Sequence, residues 1–200
     1  STSSVTAIYG NSNWTTSVTG SSEAYFNVTN RRIERGRIFT ESEARQGAAV
    51  CVIGETVRAK LFGSADPIGE KLRLGKLSCE VIGLLEPKGQ STMGQDQDDA
   101  VILPLRTFQR RIAGSEDVAI IQVSVNDGVS TDRAKRDIGM LMRERRHLSM
   151  NEEDNFNVMD LKEIANMLSG TTRMLTALLS AVAAVSLLVG GIGIMNIMLV

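Results

Sequence analysis

The sequence predicts an α+β fold that leads into one long helix. Three observations predict it. Short β-branched and alternating segments are interleaved with capped helical segments over roughly the first 160 residues. All 45 Asp, Glu, Lys and Arg residues lie in the first 173 positions. The 27 residues from Met174 to Val200 carry no charge, and residues 181–200, AVAAVSLLVGGIGIMNIMLV, are long and apolar enough to cross a bilayer, for which about 20 residues suffice.

The elements follow in order. Residues 3–30 carry Thr, Ser, Val, Tyr and Trp in short alternating pieces, which predicts two strands around a Gly10–Asn13 turn. Thr40 and Glu43 form a capping-box pattern for a short helix ending near Gly47. Residues 48–53, AAVCVI, read as a buried strand. ETVRAKLF then presents Val57, Leu61 and Phe62 on one helical face, and Gly63 is placed to stop that helix. Asp66-Pro67-Ile68-Gly69 turns into a hairpin in which Leu72 and Leu74 alternate with Lys71 and Arg73, Gly75-Lys76 turns, and residues 77–85 return. Pro87 to Asp99 is polar and aperiodic, and is expected to be a mobile loop. AVILP at 100–104 is a further strand, and LRTFQRRIA a short helix.

A second unit is expected after residue 115. VAIIQVSV at 118–125 and FNVM at 156–159 read as strands around a helix from Ser130 to His147, with Ala134, Ile138, Leu141 and Met142 on its inner face. This β-α-β unit has only two strands, too few to stand without help, so it is expected to complete a sheet formed elsewhere. Asp160 and Glu163 open a last helix, in which Leu161, Ile164, Ala165, Leu168, Thr172 and Leu175 share a face. Nothing stops it before Val200, giving about 60 Å of helix against a bilayer core of ~30 Å. The surplus reads as a stalk, able to carry motion where a Gly/Ser linker would only tether.

Composition excludes several classes. A formal charge of −1 gives no electrostatic reason to expect a nucleic-acid partner. The apolar run is C-terminal, unlike a signal peptide, and STSSVTAIYG has neither a basic nor an apolar leader pattern, so the chain reads as a piece of a longer protein. His147, the sole histidine, sits beside Arg145 and Arg146 at a helix end, which suits capping or exposure rather than catalysis. Cys51 and Cys79 lie in separate strands. They could bond only if those strands are neighbours with Cα atoms roughly 4.4–6.8 Å apart; the blander reading is two buried free thiols.

No zinc spacing or phosphate cradle is present. Asp96, Asp98 and Asp99 lack the alternation of a calcium loop and read as solvated. An anchored enzyme would have only these carboxylates as its nucleus; the chain is therefore read as having no catalytic, cofactor or metal site. The basic run Arg31, Arg32, Arg35 and Arg37, alone or with Arg110 and Arg111 or with Arg143–Arg146, reads first as a solvated surface and second as a docking face. Asn13-Trp14-Thr15 and Asn27-Val28-Thr29 match glycosylation acceptors only formally. Gly190, Gly191 and Gly193, with Ala183, Ala184 and Ser186, make a face on which another membrane helix can approach closely, and Asn196 can hydrogen-bond across it.

The segment VGGIGIMNIMLV at 189–200 resembles the start of the second membrane span of MacB-type ABC transporter permeases. The resemblance extends upstream through Tyr25–Val28, Gly36–Phe39, residues 52–75, 81–91 and 102–114, and so covers essentially the whole chain. It implies a bacterial inner-membrane protein with a two-part periplasmic domain between its first two spans. Residues 1–115 would be an inserted subdomain, 116–160 the returning half of a membrane-proximal subdomain, 161–174 a stalk and 175–200 the span. Such permeases are homodimers in the lipid bilayer, and ATP hydrolysis, with Mg²⁺, in a nucleotide-binding domain or subunit moves the periplasmic parts through the stalks. In the efflux branch a periplasmic adaptor and an outer-membrane channel complete the assembly, and macrolide-like drugs, peptides or siderophore-like molecules are exported.

The docking surface is expected on the polar 87–99 loop and the adjacent arginines, at Gln90, Ser91, Met93, Asp96, Arg110 and Arg111, because a loop on a rigid scaffold is well placed for recognition. Stalk packing is assigned to Leu161, Ile164, Leu168 and Leu175, and span packing to Gly190, Gly191, Gly193 and Asn196. The alternative is a sensing or regulatory domain of a related permease acting in lipoprotein release, peptide resistance or cell-wall hydrolase control.

Overall fold

The structure, a computed structural model, describes residues 1–91, 94–126, 128–149 and 151–198; in the last helix, side chains are described at 169–189 and 192. The chain divides into Ser1–Ser124 and Val125–Val200.

The first unit is built on seven strands: β1 (Thr2–Tyr9), β2 (Ser12–Ser21), β3 (Ile33–Gly36), β4 (Val50–Ile53), β5 (Lys71–Leu74), β6 (Leu77–Leu85) and β7 (Ala100–Pro104). Their order is β3-β6-β4-β7-β2-β1-β5, and β5 also pairs with β6. That extra pairing closes six strands into a barrel and leaves β3 as a flap on the far half of β6. Closure removes the open edges that six strands would otherwise present. The β1–β2 and β5–β6 pairs are antiparallel hairpins, whereas β2–β7 and β4–β6 are parallel.

Period-two alternation decides what fills the barrel. Ala7, Val18, Cys51, Ile53, Leu72, Leu74, Cys79, Val81, Val101 and Leu103 share one buried cluster with Val57, Leu61 and Phe62. The last three lie on or at the end of α3 (Glu55–Leu61). The intervening residues Val52, Ile82 and Ile102 face the other way and pack with Phe26, Phe39 and Leu85 in a second cluster. Strands β4, β7 and the second half of β6 are therefore covered on both faces, which is why their sequences are continuously apolar, while the first half of β6 alternates with exposed Ser78 and Glu80.

Local chemistry explains the short helices. In α2 (Glu41–Gln46) the Thr40 hydroxyl accepts the Glu43 N–H, while the Glu43 carboxylate accepts the Thr40 N–H at 2.7 Å. Gly47 ends this helix in the left-handed region at φ 71°. Helix α1 (Ala24–Val28) replaces the tail of a predicted strand: Phe26 is buried edge-on to Phe39, with ring centroids 5.4 Å apart, and this contact overrides the strand preference of its aromatic neighbours. Helix α4 (Leu105–Phe108) continues as a π-helical turn, Gln109–Ala113.

In the second unit α5 (Thr131–Arg145) ends at a left-handed His147. The Leu148 N–H donates to Arg143 O and the His147 N–H to Glu144 O, so the final carbonyls are capped by backbone. Helix α6 (Leu161–Met198) follows. The expected strands at 118–125 and 156–159 do not form: these segments have no regular structure, and Val118, Ile120, Ile121 and Val123 are exposed. A strand needs a neighbour for its backbone groups, and among the described residues neither segment has one.

Candidate docking surface

The polar loop between β6 and β7 is built around two carboxylates. Asp98 is buried and accepts hydrogen bonds from the backbone N–H groups of Lys88 and Gly89 at 2.9 and 2.7 Å. The Arg31 guanidinium lies 3.9 Å away and donates to Gln97 O at 2.8 Å. Asp96 accepts from the Thr56 hydroxyl at 2.7 Å and from the Asp98 N–H at 2.8 Å. The Thr56 hydroxyl, with the backbone N–H groups of Asp98 and Asp99, holds the Asp96 carboxyl below its usual range against an upward push from burial. Asp99 accepts from the Trp14 indole N–H at 3.0 Å, and the Lys60 ammonium sits 4.9 Å from the Trp14 ring.

Asp96, Asp98 and Asp99 are therefore anchored, and the expectation that all three carboxylates are solvated is corrected at Asp98, which is buried. A short sequence of polar residues looks like solvent-facing chain, but the Asp96 and Asp99 side chains find partners 40 and 85 residues away. Gly54 makes the anchoring possible: a Cβ at this position would stand 2.1 Å from the Asp98 carbonyl oxygen. Nothing local in the sequence announces Trp14, Arg31 or Thr56 as loop supports, because each contact is long-range.

Among the described residues of the loop, 87–90 and 94–96 are exposed. Gln90 bridges to Asp96 in an isolated antiparallel pair, and the Ser91 N–H donates to Gln95 O at 2.8 Å. Met93 lies outside the described residues. Arg110 and Arg111 are exposed on the π-helical turn. Strand β7 separates the two groups. Ala100, at its loop end, pairs with Ser17, and Pro104, next to α4, pairs with Ser21 of the parallel strand β2. The loop and the arginines thus occupy opposite ends of this strand pair.

The basic run is not a free patch. Arg31 points to Asp98, Arg35 pairs with Asp66, and Arg37 pairs with Glu43 at 2.8 Å. Cys51 and Cys79 are both buried in the barrel interior, with no bond drawn between them. Among the described residues, no group of three or more His, Cys, Asp and Glu is arranged to hold a metal.

Among the residues whose side chains are described, helix α6 contains a candidate span, Ser169–Val189, of mean hydropathy 1.8 and with none of its apolar window buried. Leu175, assigned to stalk packing, is 57% exposed. The Thr176 hydroxyl donates to Thr172 O at 2.9 Å, which satisfies it within the helix. The side chains of Leu161, Ile164, Leu168, Gly190, Gly191, Gly193 and Asn196 lie outside the described set.

The family model of the MacB-like periplasmic core domain matches residues 1–141. The chain belongs to this family. Over 193 residues it is 39% identical to the macrolide export ATP-binding/permease protein MacB of Bdellovibrio bacteriovorus, covering 96% of this chain and 30% of that protein. It is 42% identical over 193 residues to the protein of the same description in Chlorobium luteolum, covering 96% and 29%. The chain thus spans about 30% of the length of these curated relatives.

The MacB-like fold is also seen in solved structures. The periplasmic region of MacB from Actinobacillus actinomycetemcomitans matches with a TM-score of 0.71 at 24% identity, covering 84% of this chain and 73% of that one. The extracellular domain of the noncanonical ABC-type transporter YknZ from Gram-positive bacteria matches with a TM-score of 0.65 at 21% identity, covering 80% and 78%. The MacB-like chain is an extracytoplasmic α+β domain leading into an apolar inner-membrane helix.

Proposed function

We propose that this chain is the periplasmic coupling and docking element of an ABC export permease. ATP hydrolysis, with Mg²⁺, takes place on a cytoplasmic nucleotide-binding domain or subunit. Helix α6 transmits the resulting motion outward in a homodimer, and the folded domain meets a periplasmic adaptor that leads to an outer-membrane channel. The observation that carries this reading is the unbroken helix α6 in a chain of the MacB-like family. At 38 residues it is about 57 Å long, nearly twice the ~30 Å bilayer core. A continuous helix of that length moves its outer end when its membrane end shifts.

The docking face is proposed at the loop tip, Gln90, Ser91, Met93 and Asp96, because a loop held by Asp98 presents its tip at low entropic cost. Arg110 and Arg111 form a separate candidate at the other end of β7. The substrate class is proposed from the printed description of the relatives, macrolide export.

The test is photo-crosslinking in intact cells from a photoreactive residue at Gln90 or, separately, at Arg110. Capture of a periplasmic adaptor from Gln90 supports the proposal, and capture from Arg110 alone moves the docking face. Capture only of a cell-wall hydrolase or a peptide ligand overturns export docking in favour of a regulatory role.

A further inference from the structure

Two strands that are far apart in sequence bring the chain's two cysteines together. Cys51 on β4 lies opposite Val81 in the parallel β4–β6 ladder, and Cys79 lies two residues before Val81 on β6. Alternation puts residues 79 and 81 on one face, the barrel interior, and Cys51 shares that cluster. The ladder shifts register just after Cys51, where Cys51 pairs with Val81 but Val52 with Gly83. A bulge of this kind increases local twist and re-aims side chains.

The result is an Sγ–Sγ separation of 2.7 Å between two residues that are 0% and 1% exposed. The two sulfurs are therefore in direct contact across neighbouring strands, which is the placement a cross-strand disulfide requires. The other polar atoms near the sulfurs, Glu80 O for Cys51 and Leu72 O for Cys79, are 3.5 Å away, at the range of a weak S–H contact.

We propose that Cys51 and Cys79 are joined by a disulfide in the mature protein, stapling β4 to β6 inside the barrel. The extracytoplasmic placement of the domain supplies the setting, because disulfides form and persist in oxidising compartments. The oxidant is a dithiol–disulfide exchange protein of that compartment. One cysteine thiolate attacks the oxidant's disulfide to give a mixed disulfide and release one oxidant thiol. The second cysteine then attacks its partner's sulfur, forming the Cys51–Cys79 bond and releasing the other oxidant thiol. Two protons and two electrons leave the cysteine pair and appear as the reduced dithiol of the oxidant.

Burial sets the timing. Loss of solvent, followed by contact with Cys79 and the nearby Glu80 charge, pushes the Cys51 thiol well above its ordinary range, so the folded barrel holds little of the attacking thiolate. The bond therefore forms while the strands are still open. Once the barrel closes, soluble reductants have no path to the sulfurs. The closed segment spans residues 51–79 and contains α3 and β5, so the staple fixes both a strand of the wall and the helix packed with its core.

The test uses the full chain recovered from the membrane of cells that export it, denatured in the presence of a maleimide, with and without prior reduction. The expected result is no maleimide on either cysteine without reduction and two after it. Mass spectrometry should find a peptide linking Cys51 to Cys79 that is two hydrogen masses lighter than its reduced parts. The same chain made in a reducing cytosol serves as the control and should take two maleimides from the start. Two maleimides on the unreduced, exported chain would overturn the proposal, whatever the outcome for docking or export.

Discussion

Replacing Asp98 with alanine should weaken the barrel unit more than any other single change in the β6–β7 loop. The carboxylate accepts the Lys88 and Gly89 N–H groups and is the nearest anion to Arg31, whose side chain is only 11% exposed. Each orphaned N–H costs about 1–3 kcal/mol when buried, and the lower end applies here because Lys88 and Gly89 themselves reach solvent. Leaving Arg31 without its carboxylate adds roughly 1–2 kcal/mol, less than for a fully buried pair at contact distance. Together the loss is about 3–4 kcal/mol. Asp98→Asn keeps one acceptor oxygen and the shape of the side chain, and should lose about 2 kcal/mol. The assay is urea unfolding of the full chain in detergent, read by fluorescence of Trp14, the chain's single tryptophan, whose indole is tied to Asp99. With a urea slope of ~1–3 kcal/mol per molar, the alanine midpoint should fall by roughly 1–4 M. Circular dichroism run in parallel separates loop release from global unfolding, since only the former moves Trp14 ahead of the backbone signal. An unchanged midpoint for Asp98→Ala in both signals would refute the claim that Asp98 organises this loop.

Other perturbations test separate parts of the structure. The Arg37 guanidinium, aided by the Thr40 N–H, lowers the Glu43 carboxyl from 4.5 to about 2, so its contribution is fully present above about pH 4.5 and is lost as pH falls toward 2. Glu43→Gln keeps the capping box but removes the partly exposed ion pair, costing about 1 kcal/mol near neutrality, and the gap to the native chain should close on acid titration. Gly54→Ala drives a Cβ into the Asp98 carbonyl and should cost about 2–3 kcal/mol, with faster exchange of the Gly54 amide that now donates to Ala100 O at 2.9 Å. Leu179→Arg places a charge at the middle of the Ser169–Val189 span and should lower insertion by about 3 kcal/mol, seen as chain released by alkaline carbonate; full retention would count against this segment as the span. A Gly-Gly pair at Asn166 and Met167 costs only ~1 kcal/mol of helix propensity per residue. It should uncouple a complete transporter, with ATP turnover kept and export reduced, and unchanged export would make the stalk an anchor only.

How much of this could be read beforehand depended on the range of the interactions. The Thr40–Glu43 cap and the hairpin from Lys71 to Leu85 are specified within a few residues, and both stand where the pattern put them. Strand β3 was not legible, since Ile33-Glu34-Arg35-Gly36 has no apolar alternation and is held by backbone pairing to β6. The segment 118–125 shows the converse: its pattern is that of a strand, but it has no partner among the described residues and stays irregular. Barrel closure rests on Ala7 and Ile8 meeting Leu74 and Arg73, a pairing with no local signature. The loop supports were hidden for the same reason: Trp14 and Asp99 are 85 residues apart.

The parallel pairing of β2 with β7 has a consequence for how the chain acquires its shape. Ser17 meets Ala100 and Ser21 meets Pro104, so the second strand cannot find that neighbour until more than eighty further residues are available. A chain that crosses a membrane from its N-terminus delivers β1 and β2 first and β7 much later. During that interval the hairpin has a bare edge and an uncovered apolar face, the condition under which strands pair with the wrong partner. Non-local pairings of this kind also slow folding, because loop-closure entropy is spent before contacts return it. The arrival of β7 is thus the committing step of barrel assembly, and a delay in its delivery should be felt as misfolded chain rather than as a weaker native state.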